Sequence, residues 1–334
     1  MHRAAPNTLP RRTALRRAGM ALAALAGLLT CAAHGQAYPN KPIKVYVGYA
    51  AGGAVDIVAR SVGQAMSAGL GQQIVVENKP GAGSNIAIKA TIDSPPDGYT
   101  LLMAANALAA NMSLYQPAPF DAEKELTPVS LVGTVPVVIA ADANSAYTSL
   151  AKLIELAKAK PGDPQYASPG NGSTPHLAIE LFARAAGIQL SHIPYKGGAP
   201  AMTDVMGGRL PLVAVNALEA LPHVKAGKLR ILAVLSAKRT AVFPDAPTIA
   251  ESGFPGFEAS VWYALMAPAG TPRAIVERLH AETQKALATK EVRERMAAVG
   301  GDVIPASVEQ LAAMIHSERA RYEKIVRDAK IKPD

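Results

Sequence analysis

Two short segments carry residue types that could hold an anion. The first is Gly48-Tyr49-Ala50-Ala51-Gly52-Gly53-Ala54-Val55-Asp56, which runs into a stretch patterned as a helix. Glycines at such a turn let the backbone come close to a ligand and let successive N–H groups converge. The helix start adds unpaired N–H groups and a partial positive charge, and the combination suits a carboxylate. The second is Ser168-Pro169-Gly170-Asn171-Gly172-Ser173-Thr174-Pro175-His176, built on the same plan. Pro175 fits the first helical position, and Ser173 or Thr174 fits the cap. Taken alone, each segment is equally an ordinary strand-to-helix turn, with Asp56 as a capping residue in the first. Two of them, one in each half of the chain, could grip one carboxylate from both sides.

Other chemistries find little footing. The single cysteine, Cys31, falls in the amino-terminal leader, so the remaining chain offers no thiol nucleophile, disulfide or cysteine metal site. His176 has no nucleophile placed beside it by spacing, and no Ser/His/Asp arrangement can be assembled. It reads as a helix-start histidine, structural or in contact with a ligand. The seven histidines include no His-x-x-x-His pair and no Glu-flanked metal motif, so neither a catalytic residue nor a metal ligand is assigned. Residues 48–53 lack both the lysine of a phosphate-binding loop and the spacing of a dinucleotide fingerprint, and no cofactor is expected. Lys196, in Pro194-Tyr195-Lys196-Gly197-Gly198, reads first as a solvated lysine and second as a contact to an acidic ligand.

The elements that must position these loops alternate along the chain. Short apolar strands are predicted at 43–47, 73–77, 100–104, 135–140, 165–167, 189–193, 212–215 and 231–235. Helices are predicted between them at 56–67, 85–92, 149–159, 175–186 and 199–206. From residue 272 the pattern turns almost wholly helical: 272–288, 291–299 and 308–329. Such alternation predicts an α/β protein with parallel sheets and helices on their faces. The last helix presents Glu318, Arg319, Arg321, Glu323 and Lys324, a solvated face on a helix packed against its lobe.

Residues 1–37 read as a secretory signal peptide rather than as part of the fold. Arg3, Arg11, Arg12, Arg16 and Arg17 precede an uncharged Ala/Leu-rich run at 18–33, and small residues follow up to Ala37. The run is shorter than the roughly 20 residues that span a bilayer. The general secretory route ranks above twin-arginine export, because the residues around Arg11-Arg12 fit the latter loosely. The whole chain has 34 basic and 26 acidic residues; the leader takes five arginines and no acid, leaving 29 against 26. Most of the basic excess that would hint at nucleic acid therefore leaves with the leader, and no nucleic-acid partner is expected. The remaining 297 residues are near the size at which chains divide into lobes.

At this level of detail the sequence closely resembles the Bug family, the TctC-like substrate-binding components of tripartite tricarboxylate transporters. The matching stretches include Gly52-Gly53-Ala54-Val55-Asp56 with Ala59-Arg60, Val76-Glu77-Asn78-Lys79-Pro80-Gly81-Ala82-Gly83, and Pro96-Asp97-Gly98-Tyr99-Thr100-Leu101. Gly170-Asn171-Gly172-Ser173, Pro194-Tyr195-Lys196-Gly197 and Ala267-Pro268-Ala269-Gly270-Thr271-Pro272 continue the match in the family's order. The resemblance implies a fold like the type II periplasmic binding proteins, two α/β lobes with a ligand cleft between them. Residues 38–138 with 264–334 would form lobe one and 139–263 lobe two. It implies a periplasmic receptor that binds a small carboxylate and hands it to membrane permease subunits, and that is not an enzyme. Tyr49, Ala50, Gly53 and Asp56 would serve from one lobe, and Ser168, Gly172, Ser173 and Thr174 from the other, with Asn216 also in the cleft. Two rivals stand beside it: an exported hydrolase on a similar scaffold, and a binding protein that presents its ligand to a sensor protein. There are departures as well. Ala50-Ala51 replaces the family's usual prolines, Trp262-Tyr263-Ala264 replaces Trp-Phe-Gly, and Asn216 stands where many members carry an acidic residue. Loss of that acid is expected to disfavour a ligand bearing an ammonium group.

Overall fold

The computed structural model describes residues 38–298, 300–329, 331 and 332; the expected leader lies outside them. Ten strands form the framework: β1 (Ile43–Val47), β2 (Ile74–Asn78), β3 (Thr100–Ala104), β4 (Leu126–Asp142), β5 (Gln165–Ser168), β6 (Ser191–Pro194), β7 (Leu212–Asn216), β8 (Leu229–Val234), β9 (Ser260–Pro268) and β10 (Asp302–Val303). The strand order is β2-β1-β3-β9-β4-β7-β5-β6, with β8 and β10 also paired to β4.

β4 is the hinge of this arrangement. Its residues from Leu126 to Pro136 pair with β9, while Val137 onward pairs with β7 and Val138 onward with β8. One 17-residue strand thus serves two sheets, one on each side of a seam. β1 pairs in parallel with β2 and β3, and β5 in parallel with β6 and β7. Every pairing of β4 and β9 is antiparallel. The sheets are therefore mixed, where the alternation predicted parallel ones. The chain leaves on β4 and returns on β9, and two strands that run out and back along one seam must oppose each other.

Eleven α-helices are described: α1 (Ala54–Leu70), α2 (Asn85–Ile92), α3 (Ala107–Leu114), α4 (Ala122–Glu125), α5 (Leu150–Ala159), α6 (Thr174–Ala186), α7 (Gly198–Met206), α8 (Ala217–Lys225), α9 (Arg273–Ala288), α10 (Lys290–Ala297) and α11 (Val308–Ala329). In α1 the buried set Val55, Val58, Ala59, Val62, Met66 and Leu70 follows the 3.6-residue period and faces the sheet. α3 has no such stripe, because Leu108, Ala109, Ala110, Met112 and Leu114 are buried on all sides. Leu102, Leu108, Trp262, Met266, Leu311, Ile315 and Tyr322 share one apolar cluster, which fastens α11 to α3 and β9. α9 lies against α1 and β4. No described helix is long and apolar enough to cross a membrane.

Candidate functional site

Four helix starts converge on one cavity at the seam. β1 delivers the chain through residues 48–53 to the first turn of α1, and β5 delivers it through 169–173 to α6. The cavity is lined by Gly53, Ala54 and Val55 from the start of α1 and by Ser173, Thr174 and Pro175 from the start of α6. Gly198 opens α7 and Asn216 caps α8, and both line it too, with Glu219, Tyr49, Ala105, Pro169 and Val261 completing the wall. Each helix start brings N–H groups and partial positive charge to the wall, although Glu219 takes up the Ala54 and Asn216 N–H groups. No lysine, arginine or histidine lines the cavity among the described residues.

The local sequence explains each start. Ser173 caps α6, its Oγ accepting from the His176 backbone N–H at 3.4 Å, with Pro175 in the first turn. Asn216 in extended conformation begins α8, and Glu219, three residues on, reaches back to accept from the Asn216 backbone N–H at 3.3 Å. Glycine at 198 is needed because a Cβ there would lie on the Glu219 carboxylate.

Glu219 was missed by sequence reasoning, and it changes the electrostatics. Its carboxylate is 3% exposed. Oε1 accepts from Asn216 Nδ2 at 3.0 Å, and Oε2 accepts from the Ala54 backbone N–H at 3.2 Å across the seam. Burial raises its pKa above the ordinary carboxylate value, and these hydrogen bonds offset only part of that rise. Asn216 itself brings no carboxylate to this wall, but Glu219 stands on the same wall, one helical turn away. The Asn216–x–x–Glu219 capping pattern was the signal that could have placed it.

The two sides meet closely. Ala50 N–H donates to the Lys196 carbonyl at 2.8 Å. Gly83 abuts the Asn171 carbonyl, and Gly172 abuts Asn111 and Leu114 of α3, so closely that a side chain at either glycine would overlap its neighbour. The enclosed space is about 20 Å³, room for little more than one water. Beside it a groove of about 310 Å³ opens between Tyr49, Gly83, Ser84, Tyr115, Asn171 and Lys196.

Of the nine residues singled out from sequence, Tyr49, Gly53, Ser173, Thr174 and Asn216 line the cavity, and Ala50, Asp56, Ser168 and Gly172 do not. Burial pushes the Tyr49 phenol pKa up, so it stays a protonated donor. The Thr174 hydroxyl is engaged by Tyr322 of α11. Asp56 turns back into its own loop, accepting from the Gly52 N–H at 3.0 Å, from Arg60 Nε at 3.0 Å and from Asn78 Nδ2 at 2.9 Å. It shapes the loop and does not face the cavity. Gly172 N–H donates to His176 Nδ1 at 3.3 Å. Burial lowers the His176 pKa to about 3, so this ring is neutral and holds the turn.

Ser168 Oγ lies 2.6 Å from His192 Nε2, the pair of types a hydrolase would use. Ser168 is 0% exposed, its Oγ also accepts from the Gly170 N–H at 3.1 Å, and the His192 ring is stacked on His176 at 4.1 Å. Neither residue lines the cavity. A nucleophile needs a substrate within reach, and this hydroxyl is sealed inside the loop that it braces. Among the described residues no group of three or more His, Cys, Asp or Glu is placed to hold a metal ion.

The same architecture recurs in known proteins. A family profile described as "Tripartite tricarboxylate transporter family receptor" (TctC) matches residues 58–331. Protein BugT of Bordetella pertussis is 40% identical over 299 residues, spanning 88% of this chain and 92% of BugT. The structure of periplasmic binding protein BugD aligns with a TM-score of 0.86 at 34% identity, covering 89% of this chain and 100% of that one. R. palustris Rpa4515, solved with adipate, aligns with a TM-score of 0.85 at 32% identity over the same shares. The chain belongs to the tripartite tricarboxylate transporter receptor family and is a solute-binding protein, not an enzyme.

Proposed function

We propose that this protein is a periplasmic receptor for a small organic acid, which it captures by a carboxylate between two lobes and delivers to the membrane subunits of a tripartite tricarboxylate permease. The observation that carries the reading is the cavity itself: the starts of α6 and α7, the Tyr49 and Ser173 hydroxyls and, among the described residues, no side-chain cation. A carboxylate satisfied by several preorganised N–H and O–H donors is well stabilised without an ion pair. The adipate bound by Rpa4515 supports the same ligand class.

In this reading residues 38–138 and 264–334 form lobe one and 139–263 form lobe two. The change of β4 partners at Val137 and Val138 supports that division. Tyr49 and Gly53 contact the ligand from lobe one, and Ser173, Thr174 and Asn216 from lobe two. Ala50, Asp56, Ser168 and Gly172 set the shape of the loops that meet it. The leader directs export and is removed between Gln36 and Tyr38, an end that mass spectrometry of the secreted protein reads directly.

The deciding experiment is thermal unfolding of the secreted protein against a panel of mono-, di- and tricarboxylic acids and amino acids. A ligand at 100 times its Kd adds about 2.7 kcal/mol. One chemically coherent class of carboxylates should raise the Tm. A panel in which no carboxylate raises it would refute the reading.

A further inference from the structure

We propose that Tyr322 of α11 is a positioning residue for ligand capture, which turns the Thr174 hydroxyl into a donor aimed at the bound carboxylate. The inference rests on the carboxylate-receptor reading and adds to it a residue that lies outside the cavity wall.

α11 is fastened by the apolar cluster around Leu108, Trp262 and Met266, in which the Tyr322 ring is buried. Along its flank it meets α6, the helix whose start faces the cavity. Leu177 of α6 joins the same cluster, and Arg184 Nη1 donates to the Asp328 carbonyl at 2.9 Å. Thr174, in the first turn, is buried and hydrogen-bonds the Tyr322 hydroxyl. Positions 174, 177 and 184 fall on one flank of a helix with 3.6 residues per turn. α11 therefore braces α6 along one side, and Thr174 is the point at which that side reaches the cavity.

Asn106 sets the direction of these hydrogen bonds. Its Oδ1 accepts from the Trp262 backbone N–H at 3.0 Å, which fixes the amide with Nδ2 towards α11. Nδ2 donates to the Tyr322 hydroxyl oxygen at 3.0 Å, and it has further acceptors in the Ser260 carbonyl at 3.3 Å and Glu318 Oε2 at 3.4 Å. Tyr322 thus accepts from Asn106 and has one proton to place. If Thr174 donated to Tyr322 as well, that proton would be buried without an acceptor, which is costly. Tyr322 donates to Thr174 instead, and the Thr174 proton is left for the cavity. Donors that run one way polarise one another, so the hydroxyl at the end of this chain is a stronger donor than an isolated one. Asn106 and Tyr322 never touch the ligand, yet they decide which way Thr174 points.

The test is a double-mutant cycle read by calorimetry on the secreted protein. The probe is whichever of acetate, benzoate, succinate, L-malate, adipate, citrate and L-glutamate raises its Tm most. Tyr322→Phe keeps the ring in the apolar cluster and leaves Asn106 Nδ2 its other acceptors, and it should weaken the probe about 3- to 10-fold. Thr174→Val keeps the shape, removes the hydroxyl and should weaken it at least as much. In the Thr174→Val background Tyr322→Phe should change affinity by less than about 2-fold, and in a Thr174→Ser background the dependence on Tyr322 should return. A merely structural role would give the same loss in all three backgrounds, and that result overturns the inference. Wild-type affinity in Tyr322→Phe overturns it equally and leaves the receptor reading intact. If Tyr322→Phe fails to fold, Tyr322→Leu replaces it in the cycle, and wild-type affinity in Thr174→Val alone already overturns the inference. If the wild type binds none of these acids, the receptor reading falls and this inference falls with it.

Discussion

Replacing Gly172 by alanine should damage ligand binding much more than it damages the fold. Gly172 has φ of +71°, and holding alanine in the left-handed region costs about 1–2 kcal/mol. Gly187, at the end of α6, has φ of +62° and nothing within 4 Å of an added Cβ, so Gly187→Ala carries that backbone cost alone. At Gly172 the new Cβ would lie 3.0 Å from Leu114 Cδ2 and nearer still to Asn111 Oδ1, where ordinary contact begins at 3.4 Å. Asn111 cannot swing aside freely, because its Nδ2 donates to the Gly83 carbonyl at 2.8 Å and to Asn85 Oδ1 at 2.6 Å. The loop must back away from α3, and in the two-lobed reading proposed above the cleft loses its closed form. Overpacking of this kind costs about 1–3 kcal/mol, which here falls on the closed state only. Apparent affinity scales with the closed fraction, so it should drop about 5- to 150-fold. Urea denaturation of both variants should report similar losses of fold stability, and calorimetry with a carboxylate from the panel should separate them. If Gly172→Ala binds as Gly187→Ala does, the steric account of closure is wrong.

Three further outcomes follow from the site. Burial raises the Asp56 carboxyl pKa, but hydrogen bonds from Arg60, Gly52 and Asn78 outweigh it and leave the folded value below the ordinary one. Its contribution is therefore present above about pH 3.9 and lost as pH falls through the folded value. Asp56→Asn should cost about 1.5–3 kcal/mol at pH 7, and between pH 7 and 3 the wild type should lose more stability than the variant; equal losses in urea titrations would refute it. Ser173→Ala removes the α6 cap and a cavity hydroxyl together, so it should lower stability by about 1 kcal/mol and also weaken binding, both readable in one calorimetric and denaturation series. Lys196→Ala should change affinity by less than about 0.5 kcal/mol, because the contact across the seam uses the Lys196 carbonyl and not its ammonium; loss of binding in calorimetry would instead point to an ion-pair site.

What was legible in the sequence was local. Cap residues, glycine turns and the strand–helix alternation are written in adjacent residues, and from them the loops at 48–56 and 168–176 and most elements around them could be placed. β4 was read only at 135–140, because Pro128 and Gly133 look like breaks. The structure absorbs them with register shifts between Pro128 and Ser130 and between Leu131 and Gly133. α3 escaped because a helix buried on every side has no polar face to set a period. Glu219 escaped for a different reason. A capping glutamate is visible as such, but its second oxygen bonds Ala54, 165 residues away, and no local pattern announces that.

The glycines show how one motif can carry two jobs. Gly53 borders the cavity, as an anion-binding loop requires, and Gly198 borders it while leaving room for the Glu219 carboxylate. Gly172 and Gly83 instead stand where one side of the seam presses on the other, and Gly197 does the same, with an added Cβ only 2.9 Å from the Ala50 backbone nitrogen. From sequence these positions are indistinguishable, since close approach to a ligand and close approach to a facing backbone both demand a missing side chain. The distinction has a consequence for how the receptor holds its ligand. A seam made of backbone meeting backbone is fixed by geometry and leaves little side-chain freedom to be frozen on closing. Selectivity then has to come from the few polar side chains that do reach the cavity: Tyr49, Ser173, Thr174, Asn216 and Glu219.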